Sequence, residues 1–164
     1  LMNAMQLTVH DRVVVDQALA KAEASGHSAV AIQLHNGKII TGRGSTLMNS
    51  TSSVILNAIK DLAGIDDALL LISPTVLEPI KGLKKNLLGS RYPVLRAEEV
   101  LIALSISAAT NETAKRGLDQ VENLAGCEAH SSDIISGSDA ATFRKLGINI
   151  TCEPKFPTTD LYFK

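Results

Sequence analysis

An Asn-Gly dipeptide, Asn36-Gly37, separates two runs of β-favouring residues, which extend from Ser28 to His35 and from Lys38 to Gly42. Asn and Gly both tolerate a positive φ, which a type I′ turn requires at its two central positions. The pattern therefore predicts a β-hairpin with a type I′ turn. A chain with this hairpin contains at least a small sheet, and its remaining elements must cover that sheet.

Helical periodicity flanks the hairpin on both sides. Apolar residues recur at helical spacing from His10 to Ala24, and a second helix is predicted from Ser50 to Ala63. The second helix has N-cap side chains between Asn49 and Ser53 and ends at Gly64. The hairpin is thus predicted to lie between two helices in sequence.

The next segment combines a short apolar run with a basic connection. The run from Ala68 to Ile72 is too short for a helix and predicts a buried central strand. Pro74 suits the first turn of a following helix, which Pro79 prevents from continuing regularly. From Lys81 to Arg96 the chain has five cations and no acid, and we predict a mostly irregular connection.

The last third alternates helical and extended patterns. The first helix there is apolar almost all round, which predicts a central position or an interface. The predicted elements are a helix over Ala97 to Ala109, a helix from Thr110 or Asn111 through Leu124, an extended segment from Cys127 to Ile135, a short helix capped by Ser138 or Asp139, a strand over Ile148 to Cys152 and a docked arm from Glu153.

Together these elements predict one α/β domain over residues 1–164, with a mixed sheet that contains the hairpin and has helices on both faces. A hydrophobic content of 45% is sufficient for a core, and a formal charge of -1 favours no strongly charged partner. Nucleic acid is not expected, because only 3% of the residues are aromatic. No apolar run is long enough for a membrane span. Two cysteines favour a reducing cytoplasm over a disulfide framework.

Several strings of the sequence closely resemble one bacterial family. They are NAIKDLA at 57–63, LISPTVLEPI at 71–80, EVLIALSISAATN at 99–111, GCEAHSS at 126–132 and FRKLGINITCEP at 143–154. The resemblance is to the C-terminal part of the family named domain of unknown function 1846, also called uncharacterised protein family 0371, and it covers nearly all of residues 8–164.

The resemblance implies a larger protein. Members of this family look about three times longer than this chain, roughly 500 residues, which is beyond the usual size of one domain. Their larger N-terminal part is associated with a glycine-rich, phosphate-loop-like segment. The resemblance therefore implies that this chain is a C-terminal part whose first partner is the N-terminal part of the same protein, and it implies no known activity.

One group of residues has the chemistry of a catalytic or metal site. Cys127 and His130 are three residues apart, and Cys152 ends another predicted strand. Cys127 and His130 could form a nucleophile pair that Glu128 or Glu153 orients. Alternatively, Cys127, His130 and Cys152 could hold zinc, although the spacing lacks the usual four-ligand pattern, so zinc is not expected. The remaining interpretation is that these residues only pack in the core.

The order helix, hairpin, helix, strand, helix is similar to that of cytidine deaminases. In those enzymes, zinc ligands lie at the starts of the two helices, as His-x-Glu and Pro-Cys-x-x-Cys. The corresponding predicted positions here are 49–53, with the sequence NSTSS, and 73–77, with the sequence SPTVL. Only the proline is retained, so the sequence argues against zinc deaminase chemistry while leaving a deaminase-like layout as a hypothesis.

The same two helix starts are candidate ligand positions. Asn49, Ser50, Ser73 and Thr75 offer polar side chains and free backbone N–H groups at the positive ends of helix dipoles, where phosphate binds readily. The basic connection from Lys81 to Arg96 could add charge to such a pocket. Ordinary helix capping is the alternative explanation.

Two functions therefore remain open. The first is a binding or assembly module of a larger cytoplasmic protein, which contacts a phosphate-bearing small molecule together with the N-terminal part. Self-association through the apolar helix over Val100 to Ala109 is part of this hypothesis. The second is half of an enzyme site that uses Cys127, His130 and Cys152.

Overall fold

The computed structural model describes the backbone of residues 2–154 and the side chains from residue 13 onward. Within that range there are six α-helices and four β-strands. The helices are α1 (Met2–Ser25), α2 (Ser50–Ala63), α3 (Pro74–Gly82), α4 (Ala97–Ala108), α5 (Glu112–Leu118) and α6 (Gly137–Lys145). The strands are β1 (Ala29–Gln33), β2 (Ile39–Arg43), β3 (Glu128–Ser131) and β4 (Asn149–Cys152).

The four strands form one mixed sheet in the order β2-β1-β3-β4. β1 is antiparallel to both of its neighbours, whereas β3 and β4 are parallel. The register pairs Ala31 with His130, and His130 with Thr151 on the other side. The predicted α/β class with a mixed sheet is confirmed.

The hairpin is present, but its turn differs from the prediction. Gly37 has a φ of 88°, whereas no residue other than glycine has a positive φ in the described range. The Leu34 N–H donates to the Lys38 carbonyl at 2.8 Å, and the Gly37 N–H donates to the Leu34 carbonyl at 2.9 Å. These bonds enclose a three-residue loop with glycine in the left-handed region, the next commonest hairpin after type I′.

Helices cover both faces of the sheet, as predicted, but the two faces are unequal. The face that packs on α2, here called the large-core face, includes Val30, Ile32 and Ala129 and joins a cluster of 22 buried residues. In the range with described side chains, the face that packs on α1, here called the α1 face, has Ala31 in a small cluster with Val14, Ala18 and the partly buried Ile39. Helices α4 and α5 pack on α2 as an outer layer.

Gly42 lets α2 approach the sheet closely. A Cβ at this position would lie 2.3 Å from the Val54 backbone nitrogen and 2.7 Å from the Ser53 carbonyl carbon. Real Cβ atoms essentially never come that close to backbone atoms. The absence of a side chain at Gly42 is therefore what allows β2 and α2 to pack.

The strand predicted over Ala68 to Ile72 is wrong. The Ala68 N–H donates to the Asp66 carboxylate at 2.8 Å and the Leu69 N–H donates to the Asp66 carbonyl at 3.0 Å, so the segment begins as a turn. Leu69 and Leu70 are exposed, and only the last two residues of the run enter the core. Periodicity alone does not show whether a short apolar run has a strand beside it to pair with.

The prediction of an irregular connection over Lys81 to Arg96 is wrong in its first half. Helix α3 includes Pro79 and ends at Gly82, and a π-helical turn continues it over Leu83–Leu87. Pro79 lies in the second turn of α3, where it removes one backbone N–H donor without ending the helix. The chain is irregular only after this turn.

Two later helices also differ from the predictions. Asn111 caps α5 as predicted, but α5 ends at Leu118, and a separate 3-10 turn follows over Val121–Leu124. Helix α6 is capped by Ser136 rather than by Ser138 or Asp139. Several consecutive residues there have side chains suited to capping, so the sequence does not define the first turn.

Two predictions stay open. The deaminase-like layout used the strand over Ala68 to Ile72 and the helix start after it, and no strand exists there. That layout stays a hypothesis. The arm predicted from Glu153 falls mostly on residues 155–164, which lie outside the described residues.

Candidate functional site

Three helices begin at the same end of the sheet. The segments that precede α2 and α4 run side by side, with a parallel bridge between Met48 and Leu95. The Asn49 N–H donates to the Leu95 carbonyl at 3.0 Å. Helix α6 begins at the same end, since it follows the C-terminal end of β3 after a short loop. The positive ends of three helix dipoles thus lie close together.

The Asp139 carboxylate connects these helix starts. Its Oδ1 atom accepts from the Ala97 N–H at 3.0 Å, in the first turn of α4. Its Oδ2 atom accepts from Asn49 Nδ2 at 2.7 Å and from Thr51 Oγ1 at 2.9 Å. Asp139 is only 3% exposed. The anion position predicted at the start of α2 is therefore occupied by a carboxylate of the protein itself.

A cavity of about 320 Å³ lies beside these helix starts. Its lining combines apolar and polar residues: Ser28, Asn49, Ser50, Thr51, Tyr92, Val94, Arg96, Ser131, Asp133, Ile134, Ile135, Ser136 and Asp139. We call it the acidic cavity, because two buried carboxylates, Asp133 and Asp139, belong to its wall. Its volume is in the range of small-molecule sites.

Asp133 differs from Asp139 in how it is bound. It is 6% exposed, and Ser28 Oγ donates to its Oδ2 atom. Its Oδ1 atom forms no hydrogen bond with the part of the chain that the structure describes. In the same part of the chain, no cation forms an ion pair with either carboxylate.

A second cavity, of about 470 Å³, adjoins the first. The two share Ser28, Tyr92 and Val94. The second cavity is also lined by His27, Arg43, Gly44, Ser45, Thr46, Lys81, Arg91 and Pro93. We call it the basic cavity, because its described lining has three cationic side chains and no acidic one.

The cations of the basic cavity have no ion-pair partner among the residues with described side chains. Arg43, Lys81 and Arg91 form no ion pair or hydrogen bond with residues 13–154, the range with described side chains. In contrast, Lys84 of the same basic stretch pairs with Glu99 at 2.6 Å and donates to the Val94 carbonyl at 2.8 Å. Lys84 thus anchors the connection, whereas Arg43, Lys81 and Arg91 have no partner among the described side chains.

The structure brings together only half of the predicted ligand positions. Asn49 and Ser50 line the acidic cavity. Ser73 and Thr75 line neither cavity, and both are exposed. Ser73 caps α3, since its Oγ atom accepts from the Thr75 N–H at 3.2 Å.

The predicted catalytic pair is divided between the two faces of the sheet. Successive strand residues point to opposite faces. Cys127 belongs to the large-core cluster, whereas His130 pairs with Thr151 on the α1 face. Glu128 shares the α1 face and accepts from Asn149 Nδ2 at 3.3 Å.

His130 has other polar partners. Its Nε2 atom lies 2.9 Å from Glu153 Oε2, and its Nδ1 atom lies 2.6 Å from Thr151 Oγ1. His130 is only 4% exposed. With the proton on Nε2, the ring donates to Glu153 and accepts from Thr151, which satisfies both nitrogens. Glu153 was one of the two glutamates predicted to orient a catalytic group.

Burial raises the pKa of the Cys127 thiol, and the nearby Glu128 carboxylate raises it further. A hydrogen bond with the His35 backbone opposes these effects in part. The net upward shift favours the thiol over the thiolate at neutral pH. The thiolate is the reactive form, so this environment suppresses nucleophilic chemistry at Cys127.

The three predicted zinc ligands do not converge. The parallel register pairs Cys152 with Ser131, so Cys152 and Cys127 are four residue steps apart, roughly 13 Å along the strands. Across the described residues, no three His, Cys, Asp or Glu side chains are grouped closely enough to hold one metal ion. The zinc role of Cys127, His130 and Cys152 stays a prediction.

Comparison with known proteins identifies relatives of the whole chain. The family described as domain of unknown function 1846, C-terminal, matches residues 10–162. The chain belongs to this family. It is 46% identical over 164 residues to a UPF0371 protein of Corynebacterium glutamicum and 49% identical over 164 residues to one of Streptococcus thermophilus, covering 100% of the chain and 33% of each relative. A UPF0371 protein of Clostridium tetani is 52% identical over 137 residues, which are 84% of the chain and 27% of that protein.

The chain therefore spans about one third of the length of these relatives. This agrees with a C-terminal part of a larger protein of uncharacterised function. Across the described residues of this 1846-family domain, none of the helices combines the length and apolar character that a bilayer span requires.

Sequence reasoning missed Asp133, Asp139 and Arg43 as site residues. Asp139 carried a signal, since it is an acid in the first turn of a predicted helix. Its partners, however, are distant in sequence, because Asn49 is 90 residues away. The sequence of this 1846-family domain gave no indication that three helix starts meet.

Proposed function

We propose that this chain is the C-terminal binding domain of a larger cytoplasmic protein and that it binds a phosphate-bearing small molecule in the basic cavity. The observation that carries this proposal is the grouping of Arg43, Lys81 and Arg91, unpaired within the described residues, around one acid-free cavity. The free cysteines are consistent with a reducing compartment.

The chemistry of these cations suits phosphate. Guanidinium groups donate two parallel hydrogen bonds to phosphate oxygens, and an ammonium adds a compact charge. A concave wall reduces screening by water relative to an open surface. Among the described lining residues, no carboxylate competes for these donors.

Titration calorimetry with inorganic phosphate and sugar phosphates at low ionic strength tests the proposal. We expect Arg91→Ala to weaken phosphate binding by about tenfold, in line with the loss of a charge-assisted hydrogen bond. The matched control is Lys85→Ala, since Lys85 is exposed and lines neither cavity. Absence of phosphate binding, or equal loss in both variants, would contradict the proposal.

We further propose that the outer face of α4 packs against the remaining part of the larger protein. Ile102 is 54% exposed and Ile106 is 63% exposed, one helical turn apart. The exposed residues of α4 from Ile102 onward include no charge. A solvent-facing helix normally carries charged residues there. Self-association through the same face is the alternative.

Co-purification with the remaining two thirds of a full-length relative, together with light scattering of the isolated chain, tests this packing. We expect Ile106→Asp to prevent the association and Arg144→Asp, at an exposed position of α6, to leave it intact. A stable dimer of the isolated chain that Ile106→Asp dissociates would favour self-association.

The alternative function, half of an enzyme site, rests on the buried contact of His130 with both Glu153 and Thr151. This contact holds a potential base in a fixed orientation. Elemental analysis of the purified chain tests the metal version. Stoichiometric zinc that disappears in Cys127→Ala and Cys152→Ala would favour the alternative. Zinc-free protein with unchanged stability in Cys152→Ala would favour the binding domain.

A further inference from the structure

We infer that the ligand has two unlike ends, a phosphomonoester in the basic cavity and hydroxyl or amino donors in the acidic cavity that bind Asp133. This inference rests on the proposed function, because it takes the phosphate position as given. It adds the chemical class of the rest of the ligand and its orientation.

Among the described residues, Asp133 has an acceptor oxygen that receives no protein donor. Burying a carboxylate is costly unless donors or cations compensate for the lost water. Asp139 has three protein donors shared between its two oxygens. Asp133 is nearly as buried, yet within the described residues its side chain has only the Ser28 hydroxyl as a donor. A ligand donor would supply the missing compensation.

The two cavities are arranged for one molecule. Ser28, Tyr92 and Val94 belong to both linings, so a ligand can pass from one cavity to the other along shared walls. The apolar side chains of Ile134 and Ile135 line the acidic cavity. They favour an uncharged chain or ring between the polar end groups.

Charge determines which end of the ligand enters which cavity. A phosphate in the acidic cavity would face two buried carboxylates, whereas in the basic cavity it faces three cations. Arg96 also lines the acidic cavity, and its Nη1 atom donates to Ser138 Oγ at 3.2 Å. Its contact with Ser138 directs it toward the start of α6.

The test compares three probes by titration calorimetry on the full 164-residue chain: inorganic phosphate, hexyl phosphate and 6-aminohexyl phosphate. The two hexyl probes share a phosphate and a flexible chain and differ only in the terminal amine. We expect the amine to improve binding by about tenfold, the gain typical of one hydrogen bond between charged groups. Asp133→Asn should reduce this gain to within about twofold.

A second variant protects the test against misfolding of Asp133→Asn. Ile134 lines the acidic cavity but is 40% exposed, so Ile134→Lys is compatible with the fold. Its ammonium would compensate Asp133 from within the protein. We expect it to remove the advantage of the amine in the same way. Lys85→Ala is the control, which should change the binding of neither hexyl probe.

The outcomes separate the two proposals. Equal binding of both hexyl probes, with binding still dependent on Arg91, would overturn the two-ended ligand and leave the phosphate site standing. An amine advantage that persists in Asp133→Asn and Ile134→Lys would overturn the role of Asp133. Failure of all three probes to bind would overturn both proposals.

Discussion

The two faces of the sheet are built from the same strands but differ in kind. On the large-core face, Val30, Ile32 and Ala129 join a continuous apolar cluster with α2, α4 and α6. On the α1 face, the apolar cluster is four residues in the range with described side chains, and His130 lies among polar partners. Among the residues with described side chains, the large-core face therefore buries more apolar side chains, whereas the α1 face holds the polar contacts of His130.

This difference places the two members of the predicted catalytic pair, Cys127 and His130, on opposite faces of the sheet. The thiol is on the face where burial raises its pKa, and the imidazole is on the face where hydrogen-bond partners surround it. Successive side chains along an extended segment point to opposite faces, so the Cys127 thiol just before β3 and the His130 imidazole within β3 lie on opposite sides of the sheet.

The largest expected effect is at Gly42, where the sheet meets α2 on the large-core face. Gly42→Ala would place a Cβ within 2.3 Å of backbone, and we expect the free energy of unfolding to fall by at least about 3 kcal/mol. Urea denaturation measures it. Gly137→Ala is the control, since no atom lies within 4 Å of a Cβ there. A tolerated Gly42→Ala would show that the large-core face is loosely packed.

A pair of isoleucine truncations compares the two faces directly. Ile32 is fully buried on the large-core face, and Ile39 is partly buried on the α1 face. We expect Ile32→Ala to cost about 3 kcal/mol and Ile39→Ala about 1 kcal/mol in chemical denaturation. Equal losses would mean that the two faces contribute alike to stability.

The polar contact of the α1 face is tested at Glu153. Glu153→Ala leaves the Nε2 atom of His130 without its partner in a buried position, and we expect a loss of about 1 kcal/mol in thermal or chemical unfolding. Glu153→Gln retains an acceptor and should therefore lose less stability than Glu153→Ala. No loss in either variant would show that the His130 contact is unimportant for stability.

The smallest effect is the pH dependence at Cys127. The pKa of the Cys127 thiol is raised in the folded state. The stabilisation from the protonated thiol is therefore complete below the ordinary thiol pKa of about 8.5, and it is lost as the pH rises through the higher pKa of the folded state. We expect the stability of the parent chain to fall more steeply above about pH 8.5 than that of Cys127→Ala. Parallel pH profiles of the two proteins would contradict the raised pKa.

Local signals in the sequence predicted a large part of the fold. The hairpin, the Asn49 cap of α2, its end at Gly64 and the extent of α4 all follow from turn chemistry, capping and periodicity. The strand predicted over Ala68 to Ile72 was wrong because a strand needs a neighbouring strand to pair with, and the local apolar pattern does not show whether one is present.

The candidate site could be predicted only in part. Asn49 and Ser50 were found because polar residues at a helix start are visible locally. Asp139 was seen as a helix cap, but its bonds to Asn49, Thr51 and Ala97 cross 42 to 90 residues of chain. Arg43 and Arg91 meet at one cavity although they belong to different segments.

The sequence by itself determined the α/β class, the hairpin and most helix ends, because turn preferences, caps and apolar spacing act over a few residues. The tertiary structure alone decided that three helix starts share the Asp139 carboxylate, that acidic and basic cavities adjoin, and that Cys127 and His130 lie on opposite faces of the sheet. These features depend on strand order, register and helix packing, which bring together residues whose separation along the chain carries no local signal.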